Sequence, residues 1–350
     1  MPDLMGLSIS VMTLYYLIFD AERNKYLNYG YFLTGILFGT RLSYIPVLII
    51  PIIYNIITKP NKIKLMYSIF IGMCIWFIPL LYITGFENLL FLASKQTVGH
   101  FTDFGGTIFT ELNWYKRITI FIQSLWADGL GGYWNDRAWI TIVTSLCMLL
   151  FLYQFRYIGN WSWLNKYQYN IIALSIITYI IWILLFQNII YKSRHILPVL
   201  LFVIIFIVIA YKYSRRYKPI LYDSIATVLL LSLFVVTSTL NSQHKRPTAV
   251  SQLYAYVEDL DDSLDIISIP LINYYLKSHG LKKNFFDIDP QNHQGFNQTT
   301  NIKKKNIVIG DFRKLFQEHY IIISDTVFYH NPYMNRMWSK IDTYHLVPKK

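Results

Sequence analysis

Four basic side chains occupy places that an apolar chain has little reason to give them. Arg41 lies in Gly39-Thr40-Arg41-Leu42-Ser43-Tyr44-Ile45-Pro46, and Lys192, Arg194 and His195 lie in Tyr191-Lys192-Ser193-Arg194-His195-Ile196-Leu197-Pro198. Each group borders a long apolar run. A guanidinium offers a planar fork of donors that matches two oxygens of a phosphate, and an ammonium adds a compact charge. The chemistry suited to these residues is the holding of a phosphate or phosphodiester. Snorkelling to ordinary phospholipid headgroups is the competing use of the same side chains.

Residues that could move a proton are concentrated in the stretch 85–136, which holds His100, Asp103, Glu111, Lys116, Arg117, Asp128 and Asp136. Glycine corners at Asp103-Phe104-Gly105-Gly106 and Asp128-Gly129-Leu130-Gly131-Gly132 permit backbone turns that other residues resist. Asp103, beside His100 and among glycines, is the first candidate for a general base, Asp128 is the second, and His100 is an accessory. Such a carboxylate works beside a phosphate or a divalent cation. A divalent cation is thus the one cofactor left open, and no metal ligand is assigned.

The elements that must position these groups are set by hydropathy. The chain is 54% hydrophobic and 15% charged, against about 25% charged in an ordinary soluble domain. Apolar runs cover residues 4–19, 26–39, 42–58, 65–84, 138–155, 171–186, 195–211 and 220–240. The longer ones approach the roughly 20 residues a helix needs to cross a bilayer. Too many lack a polar face for a soluble helical protein. The short second run predicts a tight or tilted hairpin around Arg41. The expected fold class is therefore mostly α: a polytopic membrane bundle over 1–240, of about eight spans, followed by a small α/β domain over 241–350.

The formal charge of +12 does not point to nucleic acid, because most of the excess sits between the spans: residues 1–240 carry 18 Lys and Arg against 9 acids, and residues 241–350 carry 14 against 11. The loops with Arg23 and Lys25, with Lys59, Lys62 and Lys64, with Arg156 and Lys166, and with Lys212, Arg215, Arg216 and Lys218 read as cytoplasmic. Both termini, the stretch 85–136 and the tail then face outward. Arg41 and Arg194 stand on that outer side, against the usual bias, so each is expected to have a partner. Both cysteines, Cys74 and Cys147, fall inside spans, which leaves the tail without cross-links. Asp223 is the clear charge inside a span, and this scarcity weighs against an ion-coupled transporter.

Within 85–136, Trp114, Ile118, Phe121, Ile122 and Leu125 recur at helical spacing, so 112–126 should lie flat in the membrane interface, and 86–95 reads similarly. The tail predicts a helix capped by Ser251 and running to about Leu260. Strands are expected at 264–269, 284–288, 306–309, 320–324 and 342–347, with helices opened by Pro270 and over 311–318. It has no glycine-rich phosphate loop, which argues against nucleotide binding. The stretch 289–305 is amide-rich and polar.

Several motifs together resemble the bacterial polytopic glycosyltransferases of the GT-C type, the protein-mannosyltransferase and aminoarabinose-transferase group. They are the Gly-x-Arg-Leu-Ser-Tyr-x-Pro stretch at Arg41, Gly99-His100 to Gly105-Gly106, Ser193-Arg194-His195-Ile196-Leu197-Pro198, and the tail's Phe328-Tyr329-His330-Asn331-Pro332-Tyr333-Met334-Asn335-Arg336-Met337-Trp338. The resemblance covers most of 1–211. It implies transfer of a sugar from a polyprenyl-phosphate donor at the outer face of a bacterial inner membrane, with that donor and membrane lipids as partners. It also implies a general base in an external loop after the first span. No acidic external loop precedes Arg41 here, since Asp20 and Glu22 fall on the basic side. The likeness therefore begins at a middle span, and the stretch 85–136 must supply a base if the chain is active. Two other readings stand beside it: a non-catalytic envelope anchor whose tail docks a protein partner, and a transporter of lipid-linked sugars.

Overall fold

The computed structural model describes residues 2–19, 24–102, 106–154, 167–190, 192–288, 306–333 and 338–349. The chain divides into two compact units, residues 1–236 and 237–350.

The first unit is helical. In chain order it holds α1 (Pro2–Ile18), α2 (Asn24–Thr40), a 3-10 segment (Leu42–Leu48), α3 (Ile49–Thr58), α4 (Lys62–Thr84), α5 (Phe86–Thr102), α6 (Trp114–Gln123), a π-helical turn (Ser124–Gly129), α7 (Ile140–Gln154) and α8 (Tyr167–Phe186). A second 3-10 turn (Ser193–Ile196) leads into α9 (Leu197–Arg215), and α10 (Pro219–His244) runs across the unit boundary. Among the described residues, four stretches are long and apolar enough to cross a membrane: Lys62–Thr84, Tyr167–Phe186, Ser193–Arg215 and the one opening at Pro219. Shorter apolar helices cover Asp3–Ile18, Leu42–Thr58 and Ile140–Gln154. The protein is thus a membrane protein by the length and apolarity of its helices. Along α4, Tyr82 and Ile83 are 91% and 82% exposed, a surface that lipid tolerates far better than water.

Glycine sets the closest helix contact. A Cβ on Gly35 of α2 would lie 2.2 Å from the Ile69 carbonyl oxygen, and one on Gly72 of α4 would lie 2.2 Å from that of Phe32. The two backbones therefore touch, as small residues allow between membrane helices. Trp76 spans the seam and donates to the Gly35 carbonyl at 2.9 Å. One core packs α1, α2 and α3 against α8 and the start of α9, through Leu17, Leu27, Tyr31, Tyr44, Tyr179 and Ile183 among others. A second joins α7, α9 and α10 through Met148, Phe151, Ala210 and Leu229. At the Lys212–Lys218 end, Asp223 is paired: its Oδ1 accepts from Arg215 at 2.9 Å and from the Tyr211 hydroxyl at 2.7 Å.

The second unit is a small α/β domain. After α11 (Ala249–Glu258) come β1 (Asp265–Ser268), α12 (Pro270–Ser278), β2 (Asn284–Asp287), β3 (Asn306–Ile309), α13 (Arg313–Phe316), β4 (Tyr320–Tyr329) and β5 (Lys340–Pro348). The sheet order is β2-β1-β3-β5-β4; β1 is parallel to β2 and β3, and β5 is antiparallel to β3 and β4. Every residue of β1 and β3 is buried, as a strand covered on both faces requires. Ile266, Ile307 and Ile309 pack with Leu253 and Leu276, while Ile267 and Val308 pack with Phe316 and Tyr344.

Three local expectations change. Thr248, not Ser251, caps α11, its hydroxyl accepting from the Ser251 amide at 3.1 Å. The helix expected over 311–318 shrinks to the single turn α13. β4 runs on to Tyr329, because the register shifts between Ser324 and Val327; a bulge absorbs Asp325 and Thr326, whose polarity reads as a strand end.

Candidate functional site

The site forms in the first unit where the start of α1, the end of α2 and the turn before α9 meet. Helix α2 stops at Thr40 because Arg41 takes φ −157° and ψ 78°, outside the helical region, and the chain re-enters as the tight 3-10 segment containing Pro46. The expected hairpin around Arg41 is thus a break followed by a 3-10 turn. Gly6 lets α1 lie against it: a Cβ there would meet the Arg41 Cβ at 2.6 Å.

Asp3, on the first turn of α1, lies between the two arginines. Its Oδ1 is 2.6 Å from Arg41 Nη2, and its Oδ2 is 3.7 Å from Arg194 Nη1. The Arg41 side chain is 18% exposed and that of Arg194 is 49% exposed, so one guanidinium is seated and the other stands at the rim. Lys192 belongs to the same electrostatic group. Burial and the nearby charges of Arg194 and Arg41 lower its amine below the ordinary lysine range. Two guanidiniums face a single carboxylate, and a third cation stands close to both.

Beneath them lies an aromatic floor. The Arg41 guanidinium sits 5.7 Å from the ring centre of Tyr44, which meets Tyr179 edge-on at 6.3 Å. The Tyr179 hydroxyl donates to the His195 carbonyl at 2.9 Å, tying α8 to the turn that carries Arg194. Tyr44 and Tyr179 are fully buried and His195 is 7% exposed. Among the described residues, Arg41 Nε, Ser43 Oγ and His195 Nδ1 are buried without a hydrogen-bond partner, while the Tyr44 hydroxyl has the Arg41 guanidinium beside it. Each such atom costs about 1–3 kcal/mol, and buried polar groups in proteins are as a rule paired. Three on neighbouring elements beside a cationic cluster are what a polar ligand would satisfy.

The stretch 85–136 packs beside this end but is held by its own contacts. His100 Nε2 donates to the Phe186 carbonyl at 2.7 Å, fastening α5 to the end of α8. Asp103 lies outside the described residues. Asp128 lies on the π-helical turn, which rests on the start of α9: a Cβ on the adjacent Gly129 would stand 3.0 Å from Leu200 and 3.3 Å from Ile196. Arg117, on α6, is fully buried. Its Nε donates to the Leu184 carbonyl at 2.8 Å and its Nη1 to the Gly106 carbonyl at 2.5 Å. Gly106 takes φ +86°, and a Cβ there would overlap Asn188, so the crossing is tight. On the exposed side of α6, the Lys116 ammonium donates to Glu111 and holds that carboxyl below its ordinary range. Helix α6 presents Trp114, Ile118 and Ile122 outward, as expected of an interfacial helix.

The structure therefore brings together Arg41, Lys192, Arg194 and His195, although the His195 ring is buried rather than displayed. It ties His100 to backbone and shows Asp128 on the adjoining turn. Asp3, Ser43, Tyr44 and Tyr179 join the site without having been singled out in the sequence. The legible hint for Asp3 was a glycine one turn later in an otherwise apolar helix, the mark of a close approach. Among the described residues no group of three or more His, Cys, Asp and Glu could hold a metal ion. No protein-family model matches the chain, and no curated protein or solved structure matches it either.

Proposed function

We propose that this membrane protein binds a lipid-linked phosphate, of the polyprenyl-phosphate-sugar kind, at the end of its helical unit marked by Arg41 and Arg194. The observation that carries the reading is the convergence of Arg41 and Arg194 on one carboxylate, with Lys192 close to both arginines, over three buried polar atoms that lack partners among the described residues. Paired guanidinium donors are the side-chain arrangement best matched to a phosphate. An apolar tail on the same molecule would partition into the bilayer around the exposed helices.

The positive-inside rule puts this end outward, since α3 and α9 run from the arginines toward Lys59–Lys64 and Lys212–Lys218. In this reading the protein spans a bacterial inner membrane about eight times, with both termini outside. The motifs at Arg41, Gly99 and Ser193 support a glycosyl transfer of the GT-C kind as the use of the bound donor, with Asp103 or Asp128 as base. A second reading concerns the tail: Ile321, Ile323, Val327 and Tyr329 along β4 are all more than half exposed, which favours 241–350 as a docking module for an envelope protein.

The test is binding of a polyprenyl-phosphate sugar to the full chain in nanodiscs. Arg194→Ala, at the exposed rim, should weaken binding at least about tenfold, as losing hydrogen bonds to a charged group does, without lowering the melting temperature. Equal binding by the two proteins would remove the reading.

A further inference from the structure

We propose that the Asp3 carboxylate is an internal stand-in for the ligand's phosphate, bridging Arg41 and Arg194 until a phosphate displaces it. The inference rests on the phosphate-binding reading above and assigns Asp3 the role of selecting the ligand by charge.

The bridge has the form of a ligand contact. Its two oxygens address two guanidiniums, 2.6 Å from Arg41 and 3.7 Å from Arg194, as two phosphate oxygens would. As a permanent structural pair it is poor. The partly exposed Arg41 guanidinium pairs with a single carboxylate oxygen, Oδ1 at 2.6 Å, and its Nε has no partner among the described residues. The second arm is long, and its arginine is half exposed. Compare Arg117, which is fully buried and donates from Nε and Nη1 to two backbone carbonyls. A phosphate, with more oxygens on a tetrahedral frame, can serve Arg41 and Arg194 together and leave an oxygen for Lys192.

Geometry makes the competition unavoidable. Gly6 allows α1 to press its first turn against Arg41, which brings the carboxylate to the guanidinium a phosphate would use. Displacement has a ready outcome, since Asp3 is one-fifth exposed and a released carboxylate can turn to water. The consequence is selectivity. A neutral headgroup or free sugar cannot displace a carboxylate held by two guanidiniums, whereas a phosphate brings its own charge. With Asp3 counted, the cluster retains two positive charges from Arg41, Lys192 and Arg194, enough to favour the exchange.

The experiment uses the full chain in nanodiscs and a short-chain polyprenyl phosphate as probe, with wild type, Asp3→Asn, Asp3→Ser, Asp3→Glu and Arg194→Ala compared. Removing the competing charge should tighten binding about tenfold in Asp3→Asn and Asp3→Ser, while Asp3→Glu stays near wild type. Equal or weaker binding by both neutral variants, with melting temperatures near wild type, overturns the proposal. So does failure of both to fold, because a stand-in must be dispensable to the structure. If neither wild type nor Asp3→Asn binds the probe in an Arg194-dependent way, the phosphate reading fails, and this inference with it. Wild type that binds while the neutral variants gain nothing sinks the inference alone.

Discussion

Two arginines at helix ends of the same unit, Arg41 and Arg117, show how alike residues diverge in use. Arg117 is wholly enclosed and donates to the carbonyls of Leu184 and Gly106. Arg41 is partly open, faces Asp3, and keeps Nε unpartnered among the described residues. The first is a fastening, because its recorded hydrogen bonds all end on backbone carbonyls that a buried chain must satisfy. The second resembles a receptor, because its partner is exchangeable and its surroundings are short of hydrogen bonds. The local sequences do not separate them. The distinction lies in what the rest of the chain delivers to each guanidinium.

The widest gap between the two should appear in stability. Arg117→Ala leaves two carbonyls unpaired and a cavity, and should cost about 3 kcal/mol or more, seen as a much lower melting temperature in detergent. If Arg117→Ala melts like wild type, the fastening role is wrong. Arg41→Ala should do the reverse: a small loss of stability, with phosphate-lipid affinity down about 10- to 100-fold. A variant that unfolds before it loses affinity would merge the two cases.

A subtler signature concerns Lys192, whose amine is held below its ordinary range by burial and two like charges. Its protonated form is disfavoured in the empty site, and a bound anion reverses this. Binding in the alkaline range should therefore take up protons and weaken as pH rises through the lysine's lowered pKa. Calorimetry in two buffers of unlike ionisation enthalpy measures the uptake, and Lys192→Met should abolish it. The smallest effect is expected at Glu111. Its carboxyl is lowered by Lys116, so the pair stabilises above the unfolded carboxylate pKa and the contribution fades as pH falls through the folded one. An exposed pair of this kind is worth about 0–1 kcal/mol, so Glu111→Gln should barely move the melting temperature at neutral pH and not at all in acid.

Much of this was legible before the coordinates. Apolar runs place the helices because a membrane segment must be long and uncharged, and the anomaly of Arg41 and Arg194 on the less basic side marks where charge needs a partner. What stayed hidden depends on distance along the chain. Asp3 reads as a helix-start acid, and only the packing of α1 shows it 38 positions from its nearer guanidinium. Arg117 reads as one more polar residue in a busy loop, because the carbonyls it serves belong to α8 and to a glycine corner. Tyr44 and Tyr179 pass as ordinary apolar bulk until their rings are seen against each other under the cation. In the tail, alternation predicts the strands but misjudges β4, where two polar residues are housed in a bulge.

The backbone contact between Gly35 and Gly72 bears on all of this from a distance. Helix α2 ends at Arg41, so the spacing of α2 from α4 fixes where that guanidinium is presented. A single methyl group at either glycine would wedge the pair apart and swing the arginine relative to its counterpart at 194. The recognition end would then fall out of alignment with every residue in it still present.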